Sequence, residues 1–403
     1  MKISLVRKID YWVGIPVCFI FDLIYYLNKL NPFKKKVVTN PKNFLFIELS
    51  EMGSSILTYP AMKYLKDKYP DVELFFMIFK RNRASVDILN IIKSANVLTV
   101  DDSSFISFLF DTIKNIIRMR KEKIDVVFDL ELFSRATAIL SCLSGAPAKI
   151  GFYKYHMEGL YRGKFFTHKI QYNFQQHISK SFLSFVKALE FSNKNLPTMD
   201  IKIKDEEIKP ATYESSSEQI NNIWDKLKQE NSEINKENKL IIFNISGGDL
   251  PIRAWSFENY VKLAKKLLNN KDNYIIAIGG KKDQAICQRF CQEVDNKHCL
   301  NLVTKTTFTE LMDLFNVADI LVTNDSGPAH FASLTPAKVF VFFGPETPAL
   351  YASLSNKVTI LYSNLPCSPC LSAFNHRRTS CKDNKCLQII SVDEVYNKII
   401  EKI

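Results

Sequence analysis

Residues 308–348 read FTELMDLFNVADILVTNDSGPAHFASLTPAKVFVFFGPETP, and this stretch decides the fold. Thr307 and Glu310 fit a capping box, after which Leu311, Leu314, Phe315 and Ala318 recur at helical spacing. The helix so predicted leads into an apolar strand at 320–323 that stops at Asn324, Asp325, Ser326 and Gly327. Pro328 suits the first turn of a short second helix, and a second apolar strand, 339–343, stops at Gly344 and Pro345. Two strand ends thus lie side by side, each opening into a loop built on Gly and Pro. In an open parallel sheet, ligands bind beyond the carboxyl ends of the strands, where helix N-termini offer amide N–H groups to anions. A diphosphate suits such a place. Asp325 repels phosphate, so it holds the loop or accepts from a sugar or ribose hydroxyl, while His330, about a turn further on, reaches the same ligand or caps the loop. The alternative is an ordinary strand-loop-helix turn, in which Asp, Ser and Gly are common.

Outward from this stretch the same alternation continues. Residues 201–238 are polar and charged, with a short helix suggested by Trp224 and Leu227, and read as a bridge between two halves. A second sheet opens at 239–245, and its loop, Ser246-Gly247-Gly248, has small residues that let backbone approach phosphates. The strand at 275–278 ends at Gly279-Gly280, beyond which Asp283 either accepts from ribose hydroxyls or caps a helix. In the first half, apolar runs at 44–49, 72–79 and 124–130, the last followed by Glu131, alternate with helical patterns at 55–68, 105–121, 134–143 and 177–191. Alternation of this kind predicts an α/β chain with doubly wound parallel sheets. Neither a GxGxxG fingerprint nor a P-loop lysine motif occurs, which removes the support for a dinucleotide-dependent dehydrogenase or a nucleoside triphosphatase.

NDSGPAH followed by FGPETP resembles the donor-site signature of glycosyltransferase family 9, the heptosyltransferase family. FNISGGDLPIRAWSFENYVKLAKKL is similar to the family's strand, small-residue loop and basic-x-Trp segment, and FLFIELSEMGSSILTYPAMKYLKDKYP to its first strand-loop-helix. The resemblance runs from about Phe44 onward. It implies the GT-B architecture of two Rossmann-like lobes and a metal-independent, inverting transfer from a nucleotide sugar, ADP-heptose first, to a lipid-linked saccharide such as lipopolysaccharide core. The expected domains are a hydrophobic helix and basic linker at 1–36, an acceptor lobe at 40–200, the bridge at 201–238 and a donor lobe at 239–403. Donor contacts are expected from Ser246, Gly247, Arg253, Asp283, Thr306, Asp325, Ser326, Gly327 and His330, and acceptor contacts from Ser54, Arg135, His156, Arg162 and His177. Arg253 stands where the family usually has lysine; its planar fork still suits a leaving diphosphate.

One departure matters for catalysis. The family commonly has an aspartate, thought to be the general base, after the first-loop glycine; here that residue is Ser54, and a hydroxyl is too weak an acid to do that work unaided. Glu51, three positions earlier, becomes the candidate base, with Glu48 at the strand end beside it. Its alternative is a solvated acid at a helix start. The missing aspartate also motivates a second function, a non-catalytic glycan- or lipid-binding relative.

The 403 residues carry a net charge of +12 in an otherwise ordinary balance of 46% hydrophobic and 24% charged. Two regions hold most of the excess. Residues 1–36 have seven Lys or Arg against Asp10 and Asp22, flanking the apolar run 11–27. That run is marginal for a span, contains Pro16 and has basic residues on both sides, so it reads as a monotopic or re-entrant anchor on the cytoplasmic face of the inner membrane. A hydrophobic helix docked on the protein itself is the alternative. Residues 149–180 have six Lys or Arg against Glu158, interleaved with aromatics, which suits an acidic glycan with Arg162 or His156 at its acid group. A nucleic-acid partner is not expected, because this patch is far in sequence from the four cysteines that would have to join it. Those are Cys367, Cys370, Cys381 and Cys386, close enough to form a structural zinc site, with disulfides as the rival. No cofactor is expected for catalysis. The apolar-periodic end, 392–403, reads as a helix of the kind that packs across the cleft in two-lobed glycosyltransferases.

Overall fold

The computed structural model describes residues 3–29, 40–132, 134–153, 161–190, 202–248, 250–375 and 377–402. The chain divides into two units, Met1–Lys209 and Pro210–Ile403. The first contains strands β1 (Asn43–Ile47), β2 (Glu73–Phe79), β3 (Val97–Val100), β4 (Val126–Asp129), β5 (Ala148–Phe152) and β6 (His168–Ile170). They form one sheet in the order β3-β2-β1-β4-β5-β6, every pair parallel. The second contains β7 (Lys239–Asn244), β8 (Asn273–Ala277), β9 (Cys299–Asn301), β10 (Ile320–Asn324), β11 (Lys338–Phe343) and β12 (Val358–Tyr362). Its order, β12-β11-β10-β7-β8-β9, is again all parallel. Counted within each unit, both sheets have the same doubly wound sequence, with the first and fourth strands adjacent at the centre. There the connections diverge in opposite directions, which opens a crevice beyond the strand ends.

The central strands are buried on both faces and are therefore continuously apolar, unlike the alternating strands of a half-exposed sheet. NFLFI of β1 and ILVTN of β10 follow this rule, with Phe44, Leu45, Phe46 and Ile47 and then Ile320, Leu321 and Val322 fully buried. Phe46 stacks between Phe76 and Phe128 in the first sheet. The capping box expected at Thr307 and Glu310 is present, each side chain accepting from the other's backbone N–H, at 3.2 and 2.7 Å.

The two units place the bridge and the last helix. The part of the bridge from Pro210 onward belongs to the second unit, where helix Ser217–Glu230 buries Ile223, Trp224 and Leu227. The last helix, Val392–Ile400, packs within its own unit, burying Val395 and Ile399 in the cluster that holds Trp255 and Tyr260. The indole N–H of Trp255 donates to the Ile390 carbonyl at 3.0 Å and ties this end down.

The amino-terminal helices, Ile3–Trp12 and Gly14–Lys29, are both docked, and the second is apolar outward. Residues 7–28 are long and apolar enough to cross a membrane, with a mean hydropathy of 1.4. Yet Asp10, Gly14, Cys18 and Asp22, spaced four apart on one stripe, face the lobe. Asp10 accepts from the Arg135 guanidinium at 2.9 Å, and buried Asp22 accepts from the Tyr161 hydroxyl at 2.6 Å and from the Lys164 N–H. A Cβ on Gly14 would stand 2.8 Å from the Arg135 Cβ, so only glycine allows the approach. The other stripe exposes Trp12, Val13, Phe19, Ile20, Leu23, Ile24 and Leu27. The helix is held along the lobe through the Asp10 to Asp22 stripe.

Candidate functional site

In the first unit the crevice is built by the loops after β1 and β4. Glu131, two residues beyond β4, accepts through Oε1 from the Leu49 N–H, the Ser50 N–H and the Ser50 hydroxyl at 3.0–3.1 Å. From the other side, the Asn82 amide donates to the Leu49 and Ser50 carbonyls at 3.2 and 3.0 Å. The loop is thus clamped by both neighbouring strands' ends. It carries Glu48, which is buried and accepts from the Glu51 N–H at 3.3 Å, and Glu51, whose Oε2 accepts from the Ser54 hydroxyl at 2.9 Å. Three carboxyls therefore crowd one crevice.

Burial and then the charges of Glu131 and Glu51 push the Glu48 carboxyl well above the ordinary range; burial and then Glu51 raise Glu131 as well. A side-chain interaction with Glu131 adds to the rise of Glu48. Glu51 is half-buried in the same loop. Ser54, which replaces the expected aspartate, is buried and orients Glu51. Glu131 is the residue that the sequence reading passed over; its signal was an acid immediately past the strand adjacent to β1.

The other expected acceptor residues do not gather here. Arg135 is 4% exposed, with its guanidinium on Asp10 and the Tyr161 carbonyl. Arg162 is equally buried, paired with Asp129 and donating to the Ser134 carbonyl at 2.9 Å. Both guanidinium groups pair with an acid of their own lobe, although Arg162 Nη1 and Asp129 Oδ1 are buried without a hydrogen-bond partner. Burial raises Asp129 to about 7, with Arg162 opposing. His177 accepts from the Ser179 N–H at 3.3 Å as the cap of helix Ile178–Lys187. The aromatics Phe152, Phe165, Phe166 and Tyr172 of the basic patch are core residues, not a sugar-stacking surface. His156 lies outside the described residues.

In the second unit the corresponding crevice lies between the loops after β7 and β10. The Asn324 amide donates to the Ile245 and Ser246 carbonyls at 3.2 and 3.1 Å, and its Oδ1 accepts from the Trp255 N–H and Tyr260 hydroxyl. Asn244 donates to the hydroxyls of Thr323 and Ser326 at 2.9 and 3.0 Å. A Cβ on Gly247 would meet the Leu250 carbonyl oxygen at 2.8 Å, so the loop turns this tightly only with glycine.

Arg253 bridges the two loops. It donates to the Asp325 carbonyl and to Glu346 Oε1, both at 3.2 Å, and its Nη1 stands 3.6 Å from Asp325 Oδ2. Glu346 is 2% exposed and also faces Arg377 at 3.3 Å. Asp325 therefore faces Arg253 with both its carbonyl and its carboxylate. Glu346, quoted within FGPETP but given no role, is the second residue the sequence reading missed. His330 is buried, its Nδ1 3.2 Å from the Ser353 hydroxyl. Asp283 accepts from the Gly280 N–H at 2.8 Å, which makes it a cap. Thr306 is half-buried just before the capping box. Among the described residues, no three His, Cys, Asp or Glu side chains are arranged to hold a metal ion. Cys386 is buried, whereas Cys367 and Cys381 are exposed.

The chain matches glycosyltransferase family 9 (heptosyltransferase) over residues 113–379. It is 32% identical over 115 residues to lipooligosaccharide heptosyltransferase 2 of Haemophilus influenzae, covering 28% of this chain and 33% of that one. Against the lipopolysaccharide core heptosyltransferase OpsX of the same organism it is 21% identical over 328 residues, covering 80% and 86%. The chain spans from a third to just over half of the length of the lipooligosaccharide heptosyltransferases 2 it matches. Its fold superposes on the structure of Escherichia coli ADP-heptose lipopolysaccharide heptosyltransferase II with a TM-score of 0.70 at 16% identity, covering 89% of this chain and 98% of that one. Two like-ordered α/β lobes of the GT-B kind, with the match running from the helix before β4 to beyond β12, make this chain a member of glycosyltransferase family 9.

Proposed function

We propose that the chain is an inverting, metal-independent glycosyltransferase that moves a heptose or related sugar from a nucleotide-sugar donor to a lipid-linked saccharide such as lipopolysaccharide core. ADP-heptose is the first donor to consider, since it gives the E. coli structural relative its name. The observation that carries this reading is the opposite chemistry of the two crevices. One holds proton acceptors; the other holds small residues, amide and hydroxyl donors and an arginine.

In the reaction, Glu51 takes the proton of the acceptor hydroxyl as that oxygen attacks the anomeric carbon from the face opposite the nucleotide. The bond from carbon to the diphosphate oxygen breaks, and the leaving charge is met by N–H groups around Gly247, Ser326 and Gly327 and by Arg253. Asp325 and Glu346 hold the guanidinium in place. The exposed stripe of the amino-terminal helix lies in the membrane interface on the cytoplasmic side, beside a lipid-linked acceptor.

The test is a thermal-shift screen against ADP-, UDP-, GDP-, CMP- and dTDP-sugars without added metal, followed by transfer assays with the donor that binds. A donor at 100 times its dissociation constant stabilises by about 2.7 kcal/mol. Selective stabilisation by one nucleotide class with transfer to a saccharide acceptor is expected. A folded protein indifferent to every donor overturns the assignment.

A further inference from the structure

Helix Phe105–Lys121 is apolar on its outward side as well as on its inward side, where Phe108, Ile116 and Met119 pack into the core. Its inward side carries Asn115, buried and donating to the Thr99 carbonyl at 2.8 Å, together with Met119. Its outward side exposes Phe105, Ile106, Leu109, Phe110, Ile113 and Ile117, from 48% to 80% each. Six large apolar side chains on the solvent face of one 17-residue helix far exceed the scattered single exposures that a soluble surface tolerates. The carboxyl-terminal end of the same face is basic, with Lys114, Arg120 and Lys121 exposed and no acid among them.

This helix is also placed beside the amino-terminal one. Met119 and Leu140 share one core cluster on the same side of the first sheet, and the Arg120 Nε donates to the Leu143 carbonyl at 3.0 Å. Helix Arg135–Leu143 in turn packs on Cys18, Phe21 and Tyr25 through Ala138, Ile139 and Cys142. One helix therefore touches both neighbours, and each neighbour turns an apolar stripe away from the sheet.

We propose that the outward face of Phe105–Lys121 is a second membrane-contact surface, which lies with the amino-terminal helix on an anionic bilayer. The inference rests on the reading that the amino-terminal helix is membrane-bound and adds a partner surface that reading does not contain. Apolar side chains enter the acyl boundary while Lys114, Arg120 and Lys121 meet anionic headgroups. Pairing with a second copy fits less well: antiparallel stripes would set the basic end of one against the apolar end of the other.

The experiment is co-sedimentation of the full chain with vesicles of phosphatidylglycerol and phosphatidylethanolamine, and with phosphatidylcholine alone. Ile106→Asp/Phe110→Asp is expected to lower partitioning to the anionic vesicles by roughly tenfold or more, with an unchanged melting curve because both positions are exposed. Lys114→Glu/Lys121→Glu is expected to weaken binding to anionic vesicles and leave the weak binding to phosphatidylcholine as it was. Unchanged partitioning of both variants overturns the proposal, as does a loss of dimer in sedimentation without loss of lipid binding. Phe19→Asp/Leu23→Asp separates the two readings: if it binds like the wild type while Ile106→Asp/Phe110→Asp does not, the amino-terminal reading fails alone.

Discussion

The two lobes share one strand order and differ in what the fourth strand's end does to the first strand's loop. In the first lobe Glu131 takes the amide N–H groups of Leu49 and Ser50, so that loop has spent donors on a carboxylate and gathers two more acids around it. In the second lobe Asn324 takes the carbonyls of Ile245 and Ser246 instead, so that loop is held by its acceptors. In the first lobe Asn82 holds the carbonyls of Leu49 and Ser50 as well, so that loop is engaged on both its N–H and C=O groups. The same topology thus gathers three carboxyls at one lobe's strand ends and amide and hydroxyl groups at the other's, and the side chains on those loops set which.

The division of labour can be broken by substitution. Glu51→Gln is expected to have the largest effect, lowering turnover by about 10²–10⁴-fold while nucleotide-sugar binding by thermal shift stays as in the wild type. Wild-type turnover in this variant would move the base elsewhere in the acid cluster. Arg253→Ala is expected to lower kcat by about 10²–10³-fold. It also costs about 1–3 kcal/mol in urea unfolding, because buried Glu346 loses a guanidinium partner; full activity would remove Arg253 from the leaving-group site. Ser54→Ala takes away the hydroxyl that orients Glu51 and should slow turnover roughly fivefold, the equivalent of about 1 kcal/mol. An effect as large as that of Glu51→Gln would mean that Ser54 itself meets the acceptor.

The smallest effect sharpens the electrostatic side of the comparison. The Glu48 carboxyl is raised in the folded state, so the folded chain keeps a proton that the unfolded chain releases, and its contribution is lost as pH rises from the ordinary carboxylate range through the raised value. Glu48→Gln keeps a hydrogen-bond donor toward Glu131 at every pH. Its melting temperature should equal the wild type's near pH 4.5 and exceed it by a growing margin toward pH 8. A margin that shrinks as pH rises would mean that Glu48 is ionised in the fold.

Local pattern sufficed for much of this. Continuous apolar strands, the Thr307 and Glu310 capping box and the loops at Ser246-Gly247 and Ser326-Gly327 were legible because each depends on neighbours in the chain. Glu51 was legible as an acid in a strand-end loop. Glu131 and Glu346 were not, because their roles come from residues about 80 and 93 positions away that only strand pairing and loop packing bring near. Arg135 and Arg162 show the same limit: a basic residue on paper carries no sign of the acid that pairs with it in the fold. The amino-terminal run shows both sides. Its sequence alone determined that it is apolar, helical and flanked by basic charge. Only the tertiary structure decided that it docks along the lobe, because Asp10, Gly14, Cys18 and Asp22 form a stripe whose partners, Arg135, Tyr161 and Lys164, lie more than a hundred residues away.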